Sequence, residues 1–186
     1  MKKILCLLSV ILITSCGIFK KKNEAKNEKA KVEKEQSGRS FVKNINVEAK
    51  KLDKLTIGKT LGELDLKKWQ KFDKTQVDAS FFGFDGGGRV SLYSFNNQPI
   101  AAILKRESQK INTLIAIHPD IKTKENISVR SSFNKIKATY PDGKLKDDKM
   151  NKWSIYEIPA KSWQFIFDAR LDEISGDERS QFLIIR

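Results

Sequence analysis

Short runs of aromatic and β-branched residues recur from Val77 to the C-terminal part of the chain, and they confine it to architectures built on sheet. VDASFFGF, RVSLYSF, IAAILK and INTLIAI follow one another between Val77 and Ile117, separated by DGGG, NNQP and RESQ. WSIYEI, SWQFIFDA and QFLII follow between Trp153 and Ile185, separated by PAK and the acidic LDEISGDE segment. Such residues fit a pleated, half-buried surface. The short connections require antiparallel neighbours, and the glycines at 86–88 supply the positive φ of a tight hairpin.

Each set of strands follows a segment of a different kind. LTIGKTLGEL begins at Leu55 and ISVRSSFNKI at Ile127, with Leu55, Ile57, Leu61 and Leu64 opposite Ile127, Val129, Phe133 and Ile136. Both read as a short extended lead-in, a hydroxyl N-cap and an amphipathic helix. Thr60 and Glu63 have the spacing of a capping box; in the second copy Ser132 can cap, but position 135 is Lys. Leu61, Leu64 and Trp69 can share one helical face, as can Phe133, Ile136 and Tyr140. Gly62 weakens the first helix and Pro141-Asp142-Gly143 ends the second. The expected fold class is therefore α+β: two helix-plus-antiparallel-meander units, an internal duplication that can share one sheet. The corresponding units are 38–120 and 121–186 within one globular α+β domain, 38–186, a size usual for a single domain.

Residues 1–37 have a different character. Lys2 and Lys3 precede an apolar run from Ile4 to Ile13. A membrane-crossing helix needs about 20 apolar residues, so this run is too short to span. With Thr14 and Ser15 after it, 1–15 reads as a signal peptide. Ile13-Thr14-Ser15-Cys16 resembles the lipobox of bacterial lipoproteins. That resemblance implies diacylglycerol in thioether linkage on Cys16, cleavage before Cys16, and often a third acyl chain on the new amine. Each buried methylene contributes about 0.8 kcal/mol, so two or three chains anchor stably. In the sorting rule of this class an Asp after the cysteine retains the protein in the inner membrane. Gly17 stands there instead, which implies the outer membrane, periplasmic leaflet. Cys6 and Cys16 are the only cysteines; cleavage removes one and acylation consumes the other, leaving no thiol or disulfide in the mature domain.

Residues 16–37 then form a lipidated cysteine followed by a charged tether. KKKNEAKNEKAKVEKEQ carries Val32 as its one branched apolar residue, too little to offset the entropy of ordering. Lys20, Lys21 and Lys22 either attract anionic headgroups, about 1 kcal/mol each, or simply solvate the spacer. The formal charge is +13, almost all of it from lysines scattered along the chain. Nucleic-acid readers favour clustered arginine and interleaved aromatics, so no nucleic-acid partner is expected. Beyond the lipobox, the pairing of small hydroxyl residues, an amphipathic helix and strands is loosely similar to small envelope lipoproteins of the BamE type. It is similar also to the duplicated modules of the β-lactamase inhibitor protein. No glycine-proline signature follows either helix, and Arg130 stands where the first copy has Gly58.

Chemistry-bearing residues are sparse. His118, the sole histidine, has Asp120 nearby but no nucleophile motif, and reads as a strand-end residue before a proline turn. Asp172, Glu173, Asp177 and Glu178 lack the spacing of an EF-hand loop; no metal and no cofactor is expected. Asp147 and Asp148 read as loop. Gly86-Gly87-Gly88-Arg89 leads into a strand, not a helix, so it reads as a turn and not a phosphate cradle. Trp69, Trp153 and Trp163, with Phe81, Phe82 and Phe84, read as core, the alternative being a peptide- or glycan-binding face. The expected function is that of a membrane-tethered envelope lipoprotein with a non-enzymatic binding or assembly role. Its partners would be membrane lipid through Cys16 and an envelope protein or peptidoglycan. The alternative is an envelope hydrolase with a carboxylate-based site.

Overall fold

A computed structural model of the chain describes Val42 and residues 44–85, 88–105 and 107–186. Cys16, the signal segment and the tether lie outside the described residues. Among the described residues twelve strands are assembled into two sheets. The smaller has the order β3-β2-β1-β8: β1 (Asn46–Glu48), β2 (Lys51–Leu52), β3 (Leu55–Thr56) and β8 (Lys122–Thr123). The larger has eight strands, ordered β4-β5-β6-β7-β12-β11-β10-β9 and antiparallel throughout. Its first half is a meander of β4 (Asp73–Asp78), β5 (Arg89–Phe95), β6 (Gln98–Lys105) and β7 (Ile111–Ala116). Its second half is a meander of β9 (Lys144–Asp148), β10 (Trp153–Ile158), β11 (Trp163–Phe167) and β12 (Ser180–Ile185). The halves join where β12 lies along β7, with Leu183 opposite Ala116 and Ile185 opposite Leu114.

This architecture corrects the α+β, helix-plus-meander expectation: the fold is mainly β. The capping box at Thr60 does form, since the Glu63 carboxylate accepts from the Thr60 N–H at 2.6 Å and from its hydroxyl at 2.9 Å. The turn it opens lasts only from Leu61 to Glu63, as a 3-10 helix, and Leu64 is already extended at φ −115°, ψ 146°. Nucleating a helix is costly and only propagation recovers it. Gly62, in the middle of the turn, opposes propagation by about 1 kcal/mol. Trp69 reaches the core from a separate 3-10 turn, Trp69–Lys71. Phe133–Thr139, α1 here, is the single α-helix of seven residues or more among the described residues. The 77–84 run is also corrected: its strand ends at Asp78, and Ala79–Phe82 is a 3-10 turn. Asp147 and Asp148 lie in β9 and not in a loop.

Pairing partners share a face, so the register divides the large sheet's side chains cleanly. One face presents Ile103, Leu114, Leu183, Ile185, Phe165 and Tyr156, all buried. Against it pack Val47, Leu52 and Leu55 of the small sheet and Phe133, Ile136 and Tyr140 of the α1 region. Phe133 meets the Tyr156 and Phe167 rings edge-on at 5.6 Å, and Tyr140 meets Trp163 at 5.9 Å. The Trp163 indole N–H donates to Glu48 O at 3.2 Å, tying the two sheets together. The opposite face carries Val77, Val90, Leu92, Ala102, Ile115, Ile166, Phe182 and Trp153.

Candidate functional site

The second face is covered only in part, by the connection between β4 and β5. Asp78 caps the 3-10 turn Ala79–Phe82, its carboxylate accepting from Ser80 N at 2.8 Å. Hydrogen bonds from the Ser80 hydroxyl and N–H, with help from Arg89, hold that carboxyl below its usual range. Gly83 ends the turn at φ 74°, and a Cβ there would sit 2.6 Å from the Trp153 ring. Its conformation and its close approach both demand glycine.

That contact also shows that the sheet is curled. In a flat sheet β4 and β10 would stand six strand spacings, roughly 29 Å, apart. Five residues from Asp78 reach at most about 17 Å, so the sheet curls around the β4–β5 connection. The curl leaves an apolar groove of about 430 Å³. Val77 of β4, Leu92 of β5, Pro99 of β6 and Ile117 just past β7 line one part of it. Trp153 of β10 and Phe182 of β12 line another, with Phe81 and Phe82 completing it. Phe182 receives the edges of Phe82 and Trp153, at 5.6 and 5.5 Å. Phe82 is nearly buried, whereas Phe81 is 73 % exposed, the most exposed aromatic side chain of the described residues.

Polar groups are confined to one region of the lining: Arg130, Gln181 and Asp168. Residues 128–132 run beside the start of β12, with Ser180 N donating to Ser131 O and the Ser180 hydroxyl to Val129 O. Val129 and Ser131 are buried, so Arg130 between them points outward. Its Nη1 donates to Gln181 Oε1 at 2.8 Å, and Arg179 Nη1 donates to Arg130 O at 3.2 Å. Neither arginine forms an ion pair among the described residues.

Other residues singled out in the sequence fall elsewhere. Trp69 and Trp163 are each 1 % exposed, in the core; only Trp153 reaches the groove. His118 accepts from the Asp120 N–H at its Nδ1, 3.2 Å away, a turn contact through the backbone of Asp120. The acidic LDEISGDE segment docks by its backbone: Glu178 O and Gly176 O accept from Phe133 N and Asn134 N, the first amides of α1. No group of three or more His, Cys, Asp or Glu suited to a metal occurs among the described residues. Asp147 and Asp172 share a cleft of about 280 Å³ with Lys149, Lys152 and Arg170, so the carboxylates there face cations. Gly86 and Gly87 lie outside the described residues. Across the molecule, the Glu125 carboxylate accepts from Lys161 at 2.6 Å and from the Tyr140 hydroxyl at 2.8 Å. Lys161 first, then the Tyr140 and Thr123 hydroxyls, hold Glu125 down to about 2 against the opposing effect of burial.

The sequence reading missed Arg130 and Gln181. Arg130 stood out only as a departure from Gly58 in the other copy, and nothing local joins it to a glutamine beyond residue 180.

No protein-family model matches the chain, and no curated protein matches it. Among solved structures it is similar to the crystal structure of the uncharacterized protein YfeY from Escherichia coli, with a TM-score of 0.52 and 10 % sequence identity. The match covers 76 % of this chain and 98 % of that one. At this identity the likeness concerns the fold alone.

Proposed function

We propose that this chain is a lipid-anchored envelope protein that acts by binding, and that the groove on the curled sheet receives a small ligand with an apolar body. The observation that carries the binding half is the groove itself. Its volume of about 430 Å³ lies in the range of small-molecule sites, about 300–1,000 Å³, which are mostly apolar with a few convergent polar groups. A large aromatic left exposed beside such a groove, as Phe81 is, favours the same reading. The anchoring half rests on the lipobox at Cys16. No helix among the described residues is long and apolar enough to cross a membrane, and the acyl chains on Cys16 are the proposed means of attachment.

Two measurements test the two halves. In cells fed labelled palmitate, the wild-type chain should carry label and sediment with membranes, and Cys16→Ser should lose both properties. A Cys16→Ser chain that keeps the label refutes the anchor. For the groove, a neutral apolar probe such as phenylnaphthylamine should bind saturably and perturb Trp153 emission. Leu92→Asp, at a half-buried lining position, should weaken that binding by at least about tenfold through the cost of desolvating a carboxylate. Binding that is unaltered in a folded Leu92→Asp protein places the ligand elsewhere.

A further inference from the structure

The groove's polar end narrows the class of ligand, given the reading of this groove as a binding site. Arg130 brings one guanidinium group there and Asp168 one carboxylate, and the two form no ion pair with each other among the described residues. Arg130 spends one of its five N–H donors on Gln181, a neutral partner, at 2.8 Å. That contact orients the guanidinium without neutralising it. Away from this end Val77, Leu92 and Pro99 offer only hydrocarbon. The arrangement is one of polarity by position: a guanidinium fork, with one carboxylate, at one end of a trough that is otherwise apolar. We infer that the ligand is a single-chain anionic amphiphile, its carboxylate or phosphate head on Arg130 and its alkyl chain lying along the groove. A planar guanidinium matches either head through paired N–H donors. A cationic head would set a positive group against Arg130, and a headless hydrocarbon would leave the remaining Arg130 donors unused.

The test uses the full chain and follows Trp153 emission, with Trp153→Phe to assign the signal. The probes are alkyl carboxylates of increasing length, alkyl phosphates, and matched alkanols and alkyltrimethylammonium ions. Carboxylate affinity should rise about fourfold for each added methylene until the groove is filled, then level off. Anionic probes should exceed the alkanol of equal length by about tenfold or more, as charge-assisted hydrogen bonds do. Arg130→Gln should remove that advantage while leaving alkanol affinity unchanged. Arg130→Lys, which keeps the charge and loses the fork, should retain part of it. Carboxylates favoured over phosphates would name the head as a carboxylate; the reverse order would name it as a phosphate, and either supports the anionic class. Alkanols binding as tightly as anions would overturn the amphiphile inference and leave the groove reading standing. The same holds if Arg130→Gln weakens both probes equally. If no alkyl probe binds saturably, both fall.

Discussion

Among single residues, Glu125 shows most clearly how charge contributes here. Lys161 pairs with it while lying over the rings of Tyr140 and Trp163, at 5.3 and 4.7 Å. Burial and the nearby carboxylate push the Tyr140 phenol well above its usual range, so it stays a donor to Glu125 at any ordinary pH. Folding lowers the Glu125 pKa from 4.5 to about 2. The stabilisation is therefore complete above about 4.5 and is lost as pH falls towards 2. Both side chains are about one-third exposed, so solvent screens the pair and its contribution is modest. In denaturant titrations Glu125→Gln should be less stable than wild type at neutral pH, and the difference should vanish as pH falls through that window. A difference constant down to pH 2 would assign the effect to packing. None of this cluster was legible in the sequence, because Glu125, Tyr140 and Lys161 meet only through the packing of separate elements.

At the scale of elements, strand positions were readable and helix propagation was not. RVSLYSF, WSIYEI and QFLII fall within β5, β10 and β12 because side-chain alternation and turn residues are local properties. The Thr60–Glu63 box was equally local and does form, but a cap states only where a helix can begin. Whether it continues depends on residues such as Gly62 and on where the core needs Leu64 and Trp69. The groove was illegible for another reason: its lining comes from five strands and their connections, brought together by long-range contacts such as those of Gly83 with Trp153 and Phe82 with Phe182. Gly83→Ala tests the first of these contacts. It should cost about 1–3 kcal/mol, from the positive φ and from the displaced Trp153 ring. The midpoint of urea unfolding should fall accordingly, and probe binding in the groove should weaken. A stable Gly83→Ala protein with normal binding would show that the β4–β5 turn does not shape the groove.

For the molecule as a whole, one sheet runs through both meanders, and β8, from the second part of the chain, completes the small sheet by pairing in parallel with β1. The buried apolar side chains of both parts belong to one cluster. Unfolding should therefore be a single transition, with tryptophan emission and far-ultraviolet circular dichroism following the same curve. Two resolved transitions would mean that the halves are stable apart. The β7–β12 junction has a second consequence, one of timing. Strand β12 leaves the ribosome after every other strand of its sheet, yet it occupies the middle. Until it arrives, β7 offers an open apolar edge, Ile111 to Ala116, to any strand it meets. Such long-range closure is slow. A chain built this way profits from being held unfolded until its synthesis is complete, and an export route that threads extended polypeptide would hold it so.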